Sequence, residues 1–233
     1  ALQVLYPSNP GIELEVGTPI TITWRVTGGS MDNVRIVYYT DIIPETVISA
    51  SAVATSTFIS GVTYEGKYIN WSVSNAVSKQ VRIKIYDAAD QATVSDISDN
   101  VFRIKAKITV TGPNSGSEVG IVGANPGLPI SWVTTGTANN VTLAYTVNNG
   151  ITWTDIATVG GGTSPYNWVI PDLAGIISTN CKIRVTNADA GETDILDISD
   201  NVFRIRGKLN LDTPNVAADF EVGDIVTFQW TAT

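Results

Sequence analysis

The stretch DISDNVFRI runs from Asp96 to Ile104 and recurs unchanged from Asp197 to Ile205, 101 residues later (197 − 96). Such an identity, rich in acidic and amide side chains, is either a binding site kept in duplicate or an element that every copy of a repeat requires. The flanking sequence establishes the repeat. Trp71 in YINWSV matches Trp168 in YNWVIP, and VRIKI at Val81–Ile85 matches CKIRV at Cys181–Val185. VRIVYYT at Val34–Thr40 matches VTLAYTV at Val141–Val147. EVGTPITITW (Glu15–Trp24) returns as EVGDIVTFQW (Glu221–Trp230), with a looser middle version ending in GLPISW at Gly127–Trp132. The reading is two complete copies, 1–105 and 106–206, followed by the opening strands of a third at 207–233. An array that ends within a unit is expected to be a segment of something longer.

Each copy reads as all-β. Ile20, Ile22, Trp24 and Val26 alternate with Thr21, Thr23 and Arg25, and Val81, Ile83 and Ile85 follow the same period of two. That alternation marks strands with one buried and one wet face. About seven such runs per ~100 residues, broken by Gly, Pro, Asn and Asp, predict tandem immunoglobulin-like β-sandwich domains. Phe102, Ile104, Ala106, Ile108 and Val110 alternate with Arg103, Lys105, Lys107 and Thr109 across the first junction. Phe203, Ile205, Gly207, Leu209 and Leu211 do so across the second. With no Gly/Ser or Pro-rich linker between copies, the expectation is domains arranged end to end as a stiff rod.

Composition narrows function. The 233 residues are 43% hydrophobic and 15% charged, enough to build cores. No run is long and apolar enough to span a bilayer. A net charge of −8 and a pI of about 4.4 argue against nucleic acid or an anionic membrane surface as partner. There is no histidine, so Ser-His and Cys-His catalysis and His-ligated metals are ruled out. Cys181 is the sole cysteine and stands where the first copy has Val81, so it reads as a small core hydrophobe. No catalytic, cofactor-binding or metal-binding residues are assigned, and the chain is not expected to be an enzyme.

The pattern P-x-(x)-G-x-E-x-x-x-G-x-x-x-x-I-x-W, a Trp strand and a closing S-D-x-S-D-x-x-F-x-I resembles a known module. It is similar to the immunoglobulin-like repeat of the Ser-Thr-rich GPI-anchored (Kre9/Knh1) family of secreted and cell-surface proteins. The matching residues are Pro7, Glu15, Gly17, Ile20, Trp24, Trp71, Ser95, Asp96, Ser98, Asp99, Phe102 and Ile104, then Trp132, Trp168, Asp197, Ser199, Asp200, Phe203 and Ile205. The resemblance implies an extracellular or cell-surface β-sandwich with no catalytic residues of its own, and wall, surface-layer, adhesive or spacer roles.

Five features are candidate sites. Asp87, Asp90, Asp96 and Asp99, with Asp189, Asp194, Asp197 and Asp200, suit calcium at inter-domain positions, since that ion takes several oxygen ligands. The same residues cap turns by accepting backbone N–H groups, and capping is the expectation here. Tyr39, Tyr64, Tyr86 and Trp153 lie off the inward phase and would bind cell-wall glycan if several shared one face. Asn70-Trp71-Ser72 and Asn140-Val141-Thr142 fit the glycosylation acceptor pattern, which arises often by chance. TVNNGITW (Thr146–Trp153) approximates an Asp-box, but Asn149-Gly150 is also the expected pair for a tight hairpin turn, the preferred reading. Exposed sheet edges offer lateral pairing, and the third copy, too short to bury Phe228 and Trp230, is expected to be disordered, completed by further chain or packed on a neighbour.

The function these readings favour is a structural segment of a surface layer, sheath, stalk or filament that associates with itself or with neighbouring repeats. An adhesin or carbohydrate-binding array and an accessory region of a secreted hydrolase are the alternatives.

Overall fold

A computed structural model describes residues 1–28, 31–53, 57–60 and 63–232, and every described element is a strand. Contacts divide the chain into two compact units: Ala1–Lys107 with Thr135–Thr137, and Ile108–Thr134 with Ala138–Thr233.

The first unit holds β1 (Leu2–Tyr6), β2 (Glu13–Glu15), β3 (Pro19–Thr27), β4 (Asn33–Tyr39) and β5 (Thr46–Val53). It continues with β6 (Thr57–Ser60), β7 (Thr63–Ser72), β8 (Ser78–Asp87), β9 (Ser95–Ile97) and β10 (Phe102–Lys105). One sheet runs β1-β3-β7-β6 and the other β2-β10-β8-β4-β5, with β9 added on β8. Inward residues of both sheets meet in one core, in which Val4 and Trp24 share a cluster with Ile36, Ile83, Phe102 and Ile104. The alternation read from the sequence is realised here: Ile22, Trp24 and Val26 are buried along β3, and Val81, Ile83 and Ile85 along β8. Burying Trp24 and Phe102 alone contributes roughly 2–3 kcal/mol each from the apolar area removed from water.

The second unit repeats the plan. It contains β11 (Lys107–Gly112), β12 (Val119–Ile121), β13 (Leu128–Thr135), β14 (Asn140–Thr146) and β15 (Thr154–Gly160). These are followed by β16 (Tyr166–Trp168), β17 (Ser178–Asn187), β18 (Leu196–Ile198) and β19 (Phe203–Arg206). The sheets run β11-β13-β16 and β12-β19-β17-β14-β15, with β18 on β17. Both units are immunoglobulin-like β-sandwiches, richer in short strands than the seven per copy expected. The register confirms the alignment of the copies, because Val81 sits opposite Phe102 and Cys181 opposite Phe203. Cys181 is fully buried, as its place in the repeat required.

In each unit a short early strand joins the last one in parallel. Arg103, Ile104 and Lys105 pair with Glu13, Leu14 and Glu15, and Arg204, Ile205 and Arg206 pair with Val119, Gly120 and Ile121. Connections between copies are brief. Only Ala106 separates β10 from β11, and Gly207 and Lys208 separate β19 from β20 (Leu209–Thr213).

β20 pairs with β21 (Gln229–Ala232), and Leu211 faces Trp230 as Val4 faces Trp24. The apolar alternation continues through Ala106, Ile108 and Val110, all buried, but not past Ile205. Leu209, Leu211, Phe228 and Trp230 are all exposed, Trp230 by 61%. The physical reason is that residues 207–233 supply only one layer, and a single ribbon has no second sheet to cover its apolar face.

Candidate functional site

The two DISDN segments enter β9 and β18 at the side of each sandwich, and their polar atoms are used internally. Asp96 Oδ2 accepts the N–H of Val4 at 2.7 Å, and Asp197 Oδ2 accepts that of Val110, also at 2.7 Å. β1 and β11 are edge strands, so these N–H groups have no neighbouring strand to pair with. Each carboxylate reaches across from the opposite sheet, satisfies that donor with a charge-assisted bond and blocks the edge.

Ser98 and Ser199 follow and are buried. Their hydroxyls accept the N–H of Ile83 and Ile183 at 3.3 and 3.1 Å, and their own N–H groups return to the same residues' carbonyls at 2.9 Å. Asp99 and Asp200 donate their N–H to Ser8 Oγ (2.9 Å) and Asn114 Oδ1 (2.5 Å). Their carboxylates accept the Ser8 hydroxyl at 3.4 Å and the Asn114 amide at 3.0 Å. Asn100 and Asn201 donate to the carbonyls of Ser8 and Asn114 at 2.9 Å. Arg82 and Lys182 close the turn by donating to main-chain carbonyls within the motif. The duplicated motif is thus a strut between the two sheets, present in full in both units. Sequence reasoning missed Ser8 and Asn114. The available signal was a small polar residue directly after the proline that ends the first strand, Ser8 after Pro7 and Asn114 after Pro113.

The remaining acidic candidates separate. Asp87 caps the N–H of Ala89 at 2.9 Å, and Asp90 takes the N–H of Thr93 at 3.2 Å together with its hydroxyl. Asp189 accepts the N–H groups of Asn139 and Asn140 at 2.8 and 3.1 Å. Among the described residues no group of three or more His, Cys, Asp or Glu side chains is placed to hold a metal ion.

The four aromatics do not share one sheet. Tyr39 and Tyr86 project from β4 and β8, Tyr64 belongs to the other sheet, and Trp153 to the second unit. Tyr86 lies beneath Lys84 Nζ, 4.4 Å from the ring centre, and Trp153 beneath the Arg184 guanidinium at 4.7 Å. Asn70 and Ser72 are exposed on either side of buried Trp71, and Asn140 is exposed at the start of β14. Asn149 and Gly150 adopt φ of 57° and 94°, the paired left-handed geometry of a tight turn. The N–H of Gly150 and the side chain of Asn148 bond Thr146 Oγ1 inside that hairpin.

A further repeated feature is a basic row on the outer face of the larger sheet. Arg82, Lys84, Arg103 and Lys105 form it in the first unit, and Lys182, Arg184, Arg204 and Arg206 in the second. In the first unit Glu13 bonds Arg103 at 3.2 Å and Lys105 at 3.0 Å. The hydrogen bond from Lys105, partly opposed by burial and aided by Arg103, holds the Glu13 carboxyl below its ordinary range.

No family model matches the chain, and no curated protein matches it. Among solved structures it is similar to the class 5 fimbriae chaperone CfaA, at 9% identity and a TM-score of 0.25, over 87% of this chain and 99% of that one. It is also similar to a marsupial T cell receptor, at 10% identity and a TM-score of 0.26, over 91% of this chain and 76% of that one.

Proposed function

We propose that the chain is a non-catalytic structural segment of a cell-surface or extracellular assembly, in which immunoglobulin-like repeats act as spacers. The observation that carries this reading is the fate of DISDN. In both units every carboxylate, hydroxyl and amide of the motif makes at least one bond within the sandwich. A motif retained to build the fold is expected to bond its own sandwich through the same atoms in every copy, as this one does. Only Ala106 lies between β10 and β11, with no Gly/Ser or Pro-rich linker.

Electron microscopy of the native material tests the proposal. The expected result is a periodic polymer or layer that contains this chain. Native protein found only as free monomers that bind wall polysaccharide would overturn it.

A further inference from the structure

Three aromatic side chains recur at matching places in the two complete units. Trp71 lies opposite Ile20 and Tyr68 opposite Ile22, while Trp168 lies opposite Leu128 and Tyr166 opposite Ile130. Tyr38 and Tyr145 complete the two sets from the facing sheet, their ring centres 5.9 and 4.8 Å from those of Trp71 and Trp168. Rings of this size between two sheets fill the core, and in the first unit Tyr38 is buried, with 6% of its surface exposed. In the second unit Tyr145, at the same place, is only half-buried.

The exposure opens into a defined space. β15 and β16 are the outer strands of their two sheets. Between them lies a recess of about 350 Å³ whose lining includes Tyr145, Thr154, Asp155, Tyr166, Asn167 and Trp168. A smaller recess of about 160 Å³ adjoins it and shares Tyr145, Thr154 and Leu173. The larger recess is in the size range of small-ligand sites, ~300–1,000 Å³. Its floor is firm, because Tyr145, Ile156 and Tyr166 all pack on the core cluster that contains Trp168.

The lining is aromatic below and polar at the mouth. Thr154 shares the inward phase of Tyr145, which it faces across the β14–β15 ladder, while Asp155 and Asn167 stand one residue out of phase, at the two lips. Among the described residues the side chains of Tyr145, Thr154, Asp155, Tyr166 and Asn167 make no hydrogen bond or ion pair. Asp155 is the one charged residue lining either recess. An anionic ligand would therefore meet a like charge and no cation. A neutral pyranose fits both halves of the lining. Its C–H face lies against an aromatic ring, and its hydroxyls donate to and accept from phenol, hydroxyl and amide groups.

We infer that this recess of the second unit is a binding site for a neutral sugar residue of a polysaccharide. Tyr145 and Tyr166 carry the sugar ring, and Thr154 and Asn167 take its hydroxyls. The inference goes beyond the structural reading above, giving one repeat of the spacer a ligand of its own.

Isothermal titration of the whole chain with four neutral oligosaccharides, laminarihexaose, cellohexaose, mannohexaose and chitohexaose, tests this. The expected result is binding of at least one of them. The combined variant T154V/Y166F/N167A removes three hydrogen-bonding groups while keeping the bulk that packs on the core. It should weaken that binding at least tenfold with an unchanged melting temperature. K67E, on an exposed site of the first unit, should bind as the wild type does. Failure of all four sugars to bind overturns the inference, as does binding indifferent to T154V/Y166F/N167A. So does a chain that ignores the sugars but takes a proline-rich peptide in a way the same variant abolishes, which would assign the recess to a protein partner. Each of these outcomes leaves the structural reading standing.

Discussion

Asp96 holds the main-chain N–H of Val4 at 2.7 Å across the side of the first sandwich, joining the first strand of a unit to one of its last. The bond replaces the neighbour that an edge strand lacks.

Removing that carboxylate should therefore cost stability rather than activity. Asp96→Ala leaves the Val4 N–H partly buried without an acceptor, a loss of about 1–3 kcal/mol. Asp96→Asn keeps an acceptor and should lose less. Asp197→Ala should behave likewise through Val110. Urea denaturation of the three variants checks this, and an unchanged midpoint for Asp96→Ala would remove the strut from the account.

Because each of these carboxylates is engaged by a backbone, hydroxyl or amide donor, calcium is expected to add little. The melting temperature is expected to be the same, within a degree or so, in chelator and in millimolar calcium, measured by calorimetry on the whole chain. A large calcium-dependent rise would mean that Asp96, Asp99, Asp197 or Asp200 rearranges to bind the ion.

Glu118 gives the acid limb of stability a specific origin. Burial pushes its carboxyl up, but the N–H groups of Ser115 and Asn114 outweigh this and hold it at about 2, against 4.5 for a free glutamate. A lowered folded-state value stabilises the protein above 4.5, and that contribution fades as pH falls from 4.5 toward 2. Allowing for its partial exposure the effect is about 1–2 kcal/mol. Glu118→Gln, which keeps the acceptor but cannot titrate, should flatten the decline in that window when unfolding is followed by fluorescence.

Cys181 should be silent until the protein unfolds. Burial raises its thiol above the ordinary value, and the side chain has no route to solvent. A thiol reagent is expected to react only in denaturant. Cys181→Val, the residue at the matching position of the first copy, should fold normally, while Cys181→Ser should lose about 1–3 kcal/mol by burying a hydroxyl.

The sandwich was legible because its signal is local and repeated. Period-two alternation around Trp24 and Val81 gave strands, and the second copy of DISDNVFRI set the repeat. The partners of the motif were less legible. Ser8 and Asn114 sit 91 and 86 residues from the aspartates they meet, so no local pattern joins them. The basic row was overlooked for a different reason. Arg103, Lys105, Arg204 and Arg206 alternate as any wet strand face does, and their difference appears only when the parallel neighbours, Glu13 and Glu15 in one unit and Val119 and Ile121 in the other, are laid beside them. For the aromatics, phase marked the outward side without telling which sheet each belonged to.

The parallel pairing of β2 with β10, repeated by β12 with β19, bears on how such a chain carries load. Tension applied along the polypeptide pulls the early strand and the closing strand of a unit in opposite directions along their shared axis. Their hydrogen bonds are then strained together in shear instead of being opened one at a time. In the two complete units this arrangement would resist tension along the chain.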